Sequence, residues 1–219
     1  MDEESGNGAH DTVRLEPWSA EDFWLLRAMN APELMEHLGG PETEQQLAAR
    51  QLRYERLSVD ADRAGCMFRI VLLPEEKAAG SIGFWEHVED TGTPDTPDTP
   101  GTPSTSVYET GWTVLPGFQG RGVATAATLA VVERARAEGR FRHLHAYPST
   151  ENAPSNAVCR KAGFTLLTER EFEYPPGRRM RCNDWRLELT PPAPTTPGLT
   201  TPGLTTPGLT TPGLTTPGS

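Results

Sequence analysis

The chain has 219 residues, the length of one globular domain, and 36% of them are hydrophobic. Its formal net charge of −10 argues against a nucleic-acid partner, because such partners require a basic face. Removing seven acidic residues that lie near the N-terminus or around one low-complexity segment leaves −3 for the packed part; they are Asp2, Glu3, Glu4, Glu89, Asp90, Asp95 and Asp98.

Three segments lack the side chains needed for a packed core. Residues 1–11 form a polar tip, and residues 190–219 repeat Thr-Thr-Pro-Gly-Leu without an aromatic or charged side chain. Residues 90–106, rich in Asp, Thr and Pro, fall between two strand patterns. Proline removes backbone donors and isolated leucines cannot bury one another, so we predict disordered termini and a loop insert at 90–106. The folded domain is then expected at 12–189.

The cysteines and the N-terminus indicate the compartment. Cys66, Cys159 and Cys182 are odd in number and widely spaced, without a CxxC pair, which is typical of reduced thiols in a cytoplasmic protein. The chain starts with Met-Asp-Glu-Glu rather than an apolar leader, and no apolar run is long enough for a bilayer. We expect a cytoplasmic protein without a membrane partner.

In chain order, the patterns predict alternating strands and helices. Ser19 starts the first helix, with Asp22 at the capping-box position. Strands are predicted at 12–16, 66–73, 78–88, 107–115, 141–147, 165–174 and 180–189, and helices from 19, over 42–57, over 125–138 and from 152 to Gly163. The last two strands should form a hairpin. This order predicts an α/β fold.

The segment 114–124 predicts an anion site. An apolar run and a Pro/Gly break are followed by a glycine turn that opens a helix, so several backbone N–H groups should point to one place. Gly120 and Gly122 carry no Cβ atoms that would keep a ligand away. A P-loop would need a lysine after Gly122, and the dinucleotide fingerprint would need an acidic residue in the next strand; neither is present.

The remaining interpretation is a pyrophosphate attached to pantetheine. Gln119-x-x-Gly122-x-Ala124 resembles the acyl-CoA-binding turn of the GNAT superfamily of N-acetyltransferases. A second motif follows the next strand, where Asn152, Ser155 and the Lys161-x-Gly163-Phe164 ending are similar to the second GNAT motif of the RimJ/RimL-type branch. Two motifs in the expected order are far more specific than either alone. The resemblance covers about 12–189.

The resemblance implies a mixed, splayed β-sheet with helices on both faces, acetyl-CoA as co-substrate and no metal. The pantetheine arm would contact the backbone N–H of Val114, which would also serve as oxyanion donor. Asn152 would hydrogen-bond the pantetheine or the adenosine arm, and its other role is helix capping, which is compatible with the first. The residues implied to hold the pyrophosphate are Gln119, Gly120, Arg121, Gly122, Val123 and Ala124. Closely paired chains are common in this superfamily, so a homodimer is compatible with the resemblance.

Acetyl transfer to an amine requires a proton acceptor, an oxyanion donor and a proton for the leaving thiolate. By strand alternation Glu109 shares one face with Gly111 and Thr113, and it is our candidate base, with Glu86 as the alternative. A glycine inside the strand, Gly111, suggests a bulge. The proton donor is left open between Ser155, Cys159 and solvent, since the tyrosine that many family members carry four residues before the Gly-Phe is replaced here by Cys159.

The sequence therefore predicts an N-acetyltransferase that acts by direct attack of a primary amine, from a small molecule or a protein N-terminus. The alternative is a non-catalytic acyl-CoA-binding module. Glu33 and Glu36, next to a turn at 34–41, could attract a cationic amine, and 174–177 is a second candidate turn. His143 and His145 alternate along one strand without a nearby Cys or acidic triad, so we interpret them as polar-face histidines and expect no metal.

Overall fold

The computed structural model describes residues 12–59, 65–89, 105–173 and 179–189. The strands are β1 Thr12–Pro17, β2 Gly65–Leu73, β3 Lys77–Glu89, β4 Thr105–Val114, β5 His143–Ala146, β6 Thr165–Glu173 and β7 Arg179–Glu188. The helices are α1 Phe23–Met29, α2 Pro32–Met35, α3 Glu44–Val59, α4 Val123–Glu138 and α5 Ala153–Lys161. None of the helices in these ranges is long and apolar enough to cross a membrane.

The predicted α/β fold with a mixed sheet is confirmed. Seven strands form one sheet in the order β1-β2-β3-β4-β5-β7-β6. Only β4 and β5 run parallel to each other; the other neighbours are antiparallel. The predicted hairpin of the last two strands is β6–β7, and the short helix α2 is an addition to the predicted order.

Helices cover both faces of the sheet, as expected. Consecutive side chains of β3 point to opposite faces of the sheet. Phe84 packs in the hydrophobic cluster beneath α4 and α5, whereas Trp85 packs in the cluster beneath α1 and α3. Glu109 of β4 pairs with Trp85, which assigns it to the face of α1 and α3.

Several boundaries differ from the predictions. The terminal segments 1–11 and 190–219, the insert over 90–104 and the turn at 174–177 lie outside the described residues. Strand β4 already begins at Thr105, so the insert is shorter than predicted, and β5 ends at Ala146. The ring of Phe141, predicted as the start of β5, packs edge-on against Tyr108 at 4.8 Å between centroids.

The predicted bulge at Gly111 is wrong. The β3–β4 register runs without a shift from Gly80 opposite Val114 to Glu89 opposite Thr105. Register irregularities lie instead between β2 and β3, next to Ile70, and between β6 and β7, next to Leu166. Glycine is favoured at position 111 for a different reason, because a Cβ there would lie 3.1 Å from Cη2 of Trp85.

The sheet opens next to the parallel pair. Strands β4 and β5 are paired at only two positions, Tyr108 with Leu144 and Glu109 with His145. Beyond Glu109 the remaining residues of β4 continue beside β3 but not beside β5. This gap, bounded by residues 110–114, is the splay that the family resemblance implies.

Close backbone packing at Gly80 holds the far end of β4. A Cβ at Gly80 would lie 2.0 Å from the backbone oxygen of Thr113 and 2.9 Å from Cα of Val114. Since neither backbone atom can move aside without parting the strands, Gly80→Ala should lower the free energy of unfolding by roughly 3 kcal/mol. Urea denaturation would measure this loss.

Gly40→Ala is the control, because Gly40 has a positive φ of 95° but nothing within 4 Å of its Cβ position. It should lose only about 1 kcal/mol, from backbone strain. Equal losses in the two variants would contradict the packing role of Gly80.

Candidate functional site

Backbone groups of β4 face the gap between β4 and β5. The N–H of Leu115 donates to the carbonyl oxygen of Ala79 at 2.8 Å, so odd-numbered residues here direct their amides towards β3. Because alternate residues of a strand direct their amides to opposite sides, the N–H groups of Trp112 and Val114 point into the gap. A linear ligand lying there could pair with β4 as an additional strand would.

The glycine turn lies at the end of this gap. A single helical turn, Pro116–Phe118, leads from β4 to Gln119, whose Nε2 donates to the carbonyl oxygen of Val114 at 2.9 Å. Gly120 and Gly122 have φ angles of 75° and 83°, a conformation that glycine adopts without strain. The side chain of Gln119 therefore fastens the turn to the strand.

The N-terminus of α4 leaves backbone donors available. The helix begins after Gly122, which has no side chain to cap it, and its first internal bond is from Ala126 N–H to the carbonyl oxygen of Gly122. The N–H groups of residues 123–125 thus lack an acceptor within the helix, and the helix dipole adds positive potential. A Cβ at Gly120 would meet nothing within 4 Å, so the space beside these donors is open. We call residues 119–124 the cradle.

Side chains of the cradle divide between the core and the surface. Val123 is buried and Ala124 packs against the same hydrophobic cluster, so each can offer only its backbone to a ligand. Arg121 is exposed, with its Nη2 3.7 Å from Oε1 of Glu75. An anion in the cradle would therefore be bound by backbone dipoles, with Arg121 as the nearest cationic side chain of this segment.

Glu109 lies on the face opposite to α4, next to the closed end of the gap. Its Oε2 is 3.1 Å from Nδ1 of His87, and both side chains are partly exposed. Glu86, the alternative candidate base, is exposed and lies on the other face of the sheet, since it pairs with the core residue Tyr108. Of the two candidates, only Glu109 is placed beside the gap and on the face of α1 and α3.

The interpretation of His145 as a polar-face histidine is wrong. His145 is 1% exposed, and its Nδ1 lies 2.8 Å from Oδ1 of Asp184, which is fully buried. Nε of Arg170 lies 2.8 Å from Oδ2 of the same carboxylate. His143, in contrast, is partly exposed and pairs with Glu188. Within the described ranges no group of three or more His, Cys, Asp or Glu side chains could hold a metal ion.

This buried trio was missed because it depends on strand pairing that local patterns do not reveal. Residues His145 and Arg186 are opposite each other in β5 and β7, which brings Asp184 onto the same face as His145. Strand β7 contains several other charged residues, so its sequence does not mark Asp184 as the buried one.

Two asparagines, Asn152 and Asn156, hold the first turns of helix α5 in place through hydrogen bonds. Oδ1 of Asn152 accepts from Ser155 N–H at 3.0 Å, so its capping role is observed. Asn156, which the sequence did not single out, donates to the carbonyl oxygens of Ser149 and Asn152 and accepts from Nε1 of Trp185 at 2.8 Å. These bonds fix α5 against β7.

The two candidate proton donors on α5 differ in burial. Cys159 is fully buried within the hydrophobic cluster, and burial raises the pKa of its thiol to about 12. Ser155 is only half-buried, one turn earlier on the helix. A neutral, enclosed thiol fits core packing better than proton donation at neutral pH.

Two family profiles match different parts of the chain. The profile of the acetyltransferase (GNAT) domain matches residues 12–165, and that of the GLTT repeat matches six copies over residues 195–218. A comparison with curated protein sequences finds no significant match.

Solved structures of acetyltransferases are similar in fold. A RimL ribosomal L7/L12 α-N-protein acetyltransferase in complex with coenzyme A is 16% identical, covers 81% of this chain and 94% of its own, and has a TM-score of 0.61. Spermidine N-acetyltransferase from Vibrio cholerae, with coenzyme A and spermine, is 13% identical over 81% and 96%, with a TM-score of 0.60. An aminoglycoside acetyltransferase with coenzyme A is 21% identical over 81% and 94%, with a TM-score of 0.56.

The buried carboxylate of Asp184 depends on Arg170 for charge compensation. Arg170→Met should lower the free energy of unfolding by about 2 kcal/mol, since the buried carboxylate loses its cationic ion-pair partner. Arg181→Met is the matched control, because Arg181 pairs with the exposed Glu169 on the same two strands and should lose less than about 1 kcal/mol. Urea denaturation of both variants tests this, and equal losses would contradict it.

Proposed function

The chain belongs to the GNAT acetyltransferase family, and on this premise we propose that it transfers the acetyl group of acetyl-CoA to a primary amine by direct attack. The observation that carries the proposal is the gap beside β4 with the cradle at its end. One half of this site suits an extended arm and the other suits a diphosphate. In coenzyme A the pantetheine arm connects the thiol to the diphosphate, so these two parts would lie side by side as the site requires.

The cradle and the gap would bind acetyl-CoA through backbone groups. The free N–H groups of residues 123–125 suit the pyrophosphate, with Arg121 near enough to add charge. Trp112 and Val114 would hydrogen-bond the pantetheine amides, and the N–H of Val114 would stabilise the negative charge that develops on the carbonyl oxygen. The side-chain amide nitrogen of Asn152 remains a candidate contact, because only its oxygen is used in capping.

Glu109 would accept the proton that the amine loses as its nitrogen attacks the thioester carbonyl. Its position beside the closed end of the gap supports this role. The C–S bond then breaks and the thiolate takes up a proton. Ser155 is the better donor of the two side chains on α5, because the thiol of Cys159 is enclosed in the core, and solvent is a further source.

The acceptor is proposed to be a cationic primary amine, either of a small molecule or of a protein N-terminus. Glu33 and Glu36 are exposed beside α2, on the side of the sheet where Glu109 lies, and would attract positive charge. The structural relatives act on a ribosomal protein, on spermidine and on aminoglycosides, which share a reactive amine. Spermine, ribostamycin and a short peptide with N-terminal serine therefore form a suitable panel.

Glu109→Gln should lower kcat roughly 100-fold with the best amine of this panel, because the general base is lost while its shape is kept. Release of the CoA thiol measures turnover, and calorimetric titration should find unchanged acetyl-CoA affinity. Glu86→Gln, an exposed carboxylate on the other face, is the control and should behave as wild type.

Wild-type turnover by Glu109→Gln would exclude Glu109 as the base. If the wild-type protein binds acetyl-CoA but releases no thiol with any amine, the non-catalytic acyl-CoA-binding module becomes the better account.

Gly120→Ala should raise the Kd for acetyl-CoA about tenfold, or 1.4 kcal/mol, since its methyl group enters the open space of the cradle and strains the turn. Gly117→Ala is the control: it lies in the same turn, a Cβ there also meets nothing within 4 Å, and its φ is not positive. Titration calorimetry measures both. An affinity unaffected by Gly120→Ala would contradict phosphate binding at residues 119–124.

A further inference from the structure

The proposed chemistry does not use the most costly polar group of the described structure. Asp184 is fully buried between His145 and Arg170, and removing a carboxylate from water costs several kcal/mol unless its partners compensate. The trio also lies at the place where β4 and β5 separate, since His145 is paired with Glu109.

Two imidazoles on this face are each held by a carboxylate. Nδ1 of His145 lies 2.8 Å from Asp184, and Nδ1 of His87 lies 3.1 Å from Glu109. An ionised carboxylate can only accept hydrogen bonds, so a hydrogen bond at either pair requires the hydrogen on Nδ1. At 3.1 Å, Nδ1 of His87 lies close enough to donate to Oε2 of Glu109.

The ring of Tyr147 connects the two histidines. It stacks on His145 with centroids 5.8 Å apart at an interplanar angle of 29°, and its centroid lies 5.6 Å from that of His87. A continuous series of contacts thus runs from the buried Asp184 to Glu109. We call His87, Tyr147 and His145 the ring cluster.

We propose that His87 is a positioning residue for Glu109, and that Tyr147 and the Asp184-anchored His145 keep its ring in place. With Oε2 held by the N–H of His87, Oε1 is the oxygen presented to the acceptor amine. The proposal rests on the proposed function, because it requires Glu109 to be the base. It gives the buried Asp184 a role at the site, because Asp184 fixes His145 and the contacts through Tyr147 then keep His87 oriented.

The test separates the hydrogen bond from the bulk of the ring. His87→Leu should lower kcat about tenfold to a hundredfold while the KM for acetyl-CoA changes less than about twofold, because only the orientation of the base is lost. His87→Asn places an amide N–H near the position of Nδ1 and should restore most of the rate. Turnover is measured with the best amine of the panel, on the full chain.

Matched variants control for structure. His143→Leu removes a histidine of the same 25% side-chain exposure, also paired with a carboxylate, and should leave kcat unchanged. Tyr147→Leu removes the ring that connects the two histidines and should lower kcat as His87→Leu does, whereas Tyr147→Phe keeps this ring and should lower kcat less. All variants should remain folded at the assay temperature.

Wild-type kcat in His87→Leu overturns the proposal, and so does an Asn variant as slow as the Leu variant. If Glu109→Gln is inactive while His87→Leu is normal, only the positioning role falls. If Glu109→Gln is normal, or no amine is acetylated by the wild-type protein, the proposal falls together with the catalytic role of Glu109.

Discussion

The short parallel pairing of β4 with β5 is the constraint on which the site depends. Two residue pairs, ending at Glu109 and His145, join the two halves of the sheet. If the pairing continued, the N–H groups of Trp112 and Val114 would be used within the sheet and no arm could bind there. Because it stops, β4 keeps a free edge that leads directly into the cradle. Close packing at Gly80 holds the other edge of β4, so that one side is rigid while the other is open.

In the proposed site, backbone groups would bind the coenzyme and side chains would handle the proton. In the proposed function the cradle would bind its ligand through amides that the turn and the helix start leave free. Val123 is buried, Gln119 fixes the turn, and Arg121 offers the exposed charge of this segment. The proposed base, Glu109, lies on the opposite face, where it meets His87. The contacts with His145 and Arg170 offset the desolvation cost of the buried Asp184. They also hold its carboxylate in one position beside the gap.

Local signals in the sequence were sufficient for much of this arrangement. The glycine turn, the cap at Asn152 and the alternation that sets the face of Glu109 each depend on a few consecutive residues, and all were predicted. The buried state of His145 was not, because it depends on the pairing of β5 with β7 and on an arginine from β6. Gly111 was misinterpreted for a related reason: its small size accommodates a ring from the neighbouring strand, Trp85, rather than a bulge in its own.

Amide hydrogen exchange of the wild-type protein, with and without acetyl-CoA, tests the central claim most directly. The account predicts that acetyl-CoA slows exchange at Trp112 and Val114 and at the amides of residues 122–125, while the exposed start of α3 is unaffected. Protection restricted to other parts of the chain, or no change at a saturating concentration, would contradict binding in the gap between β4 and β5.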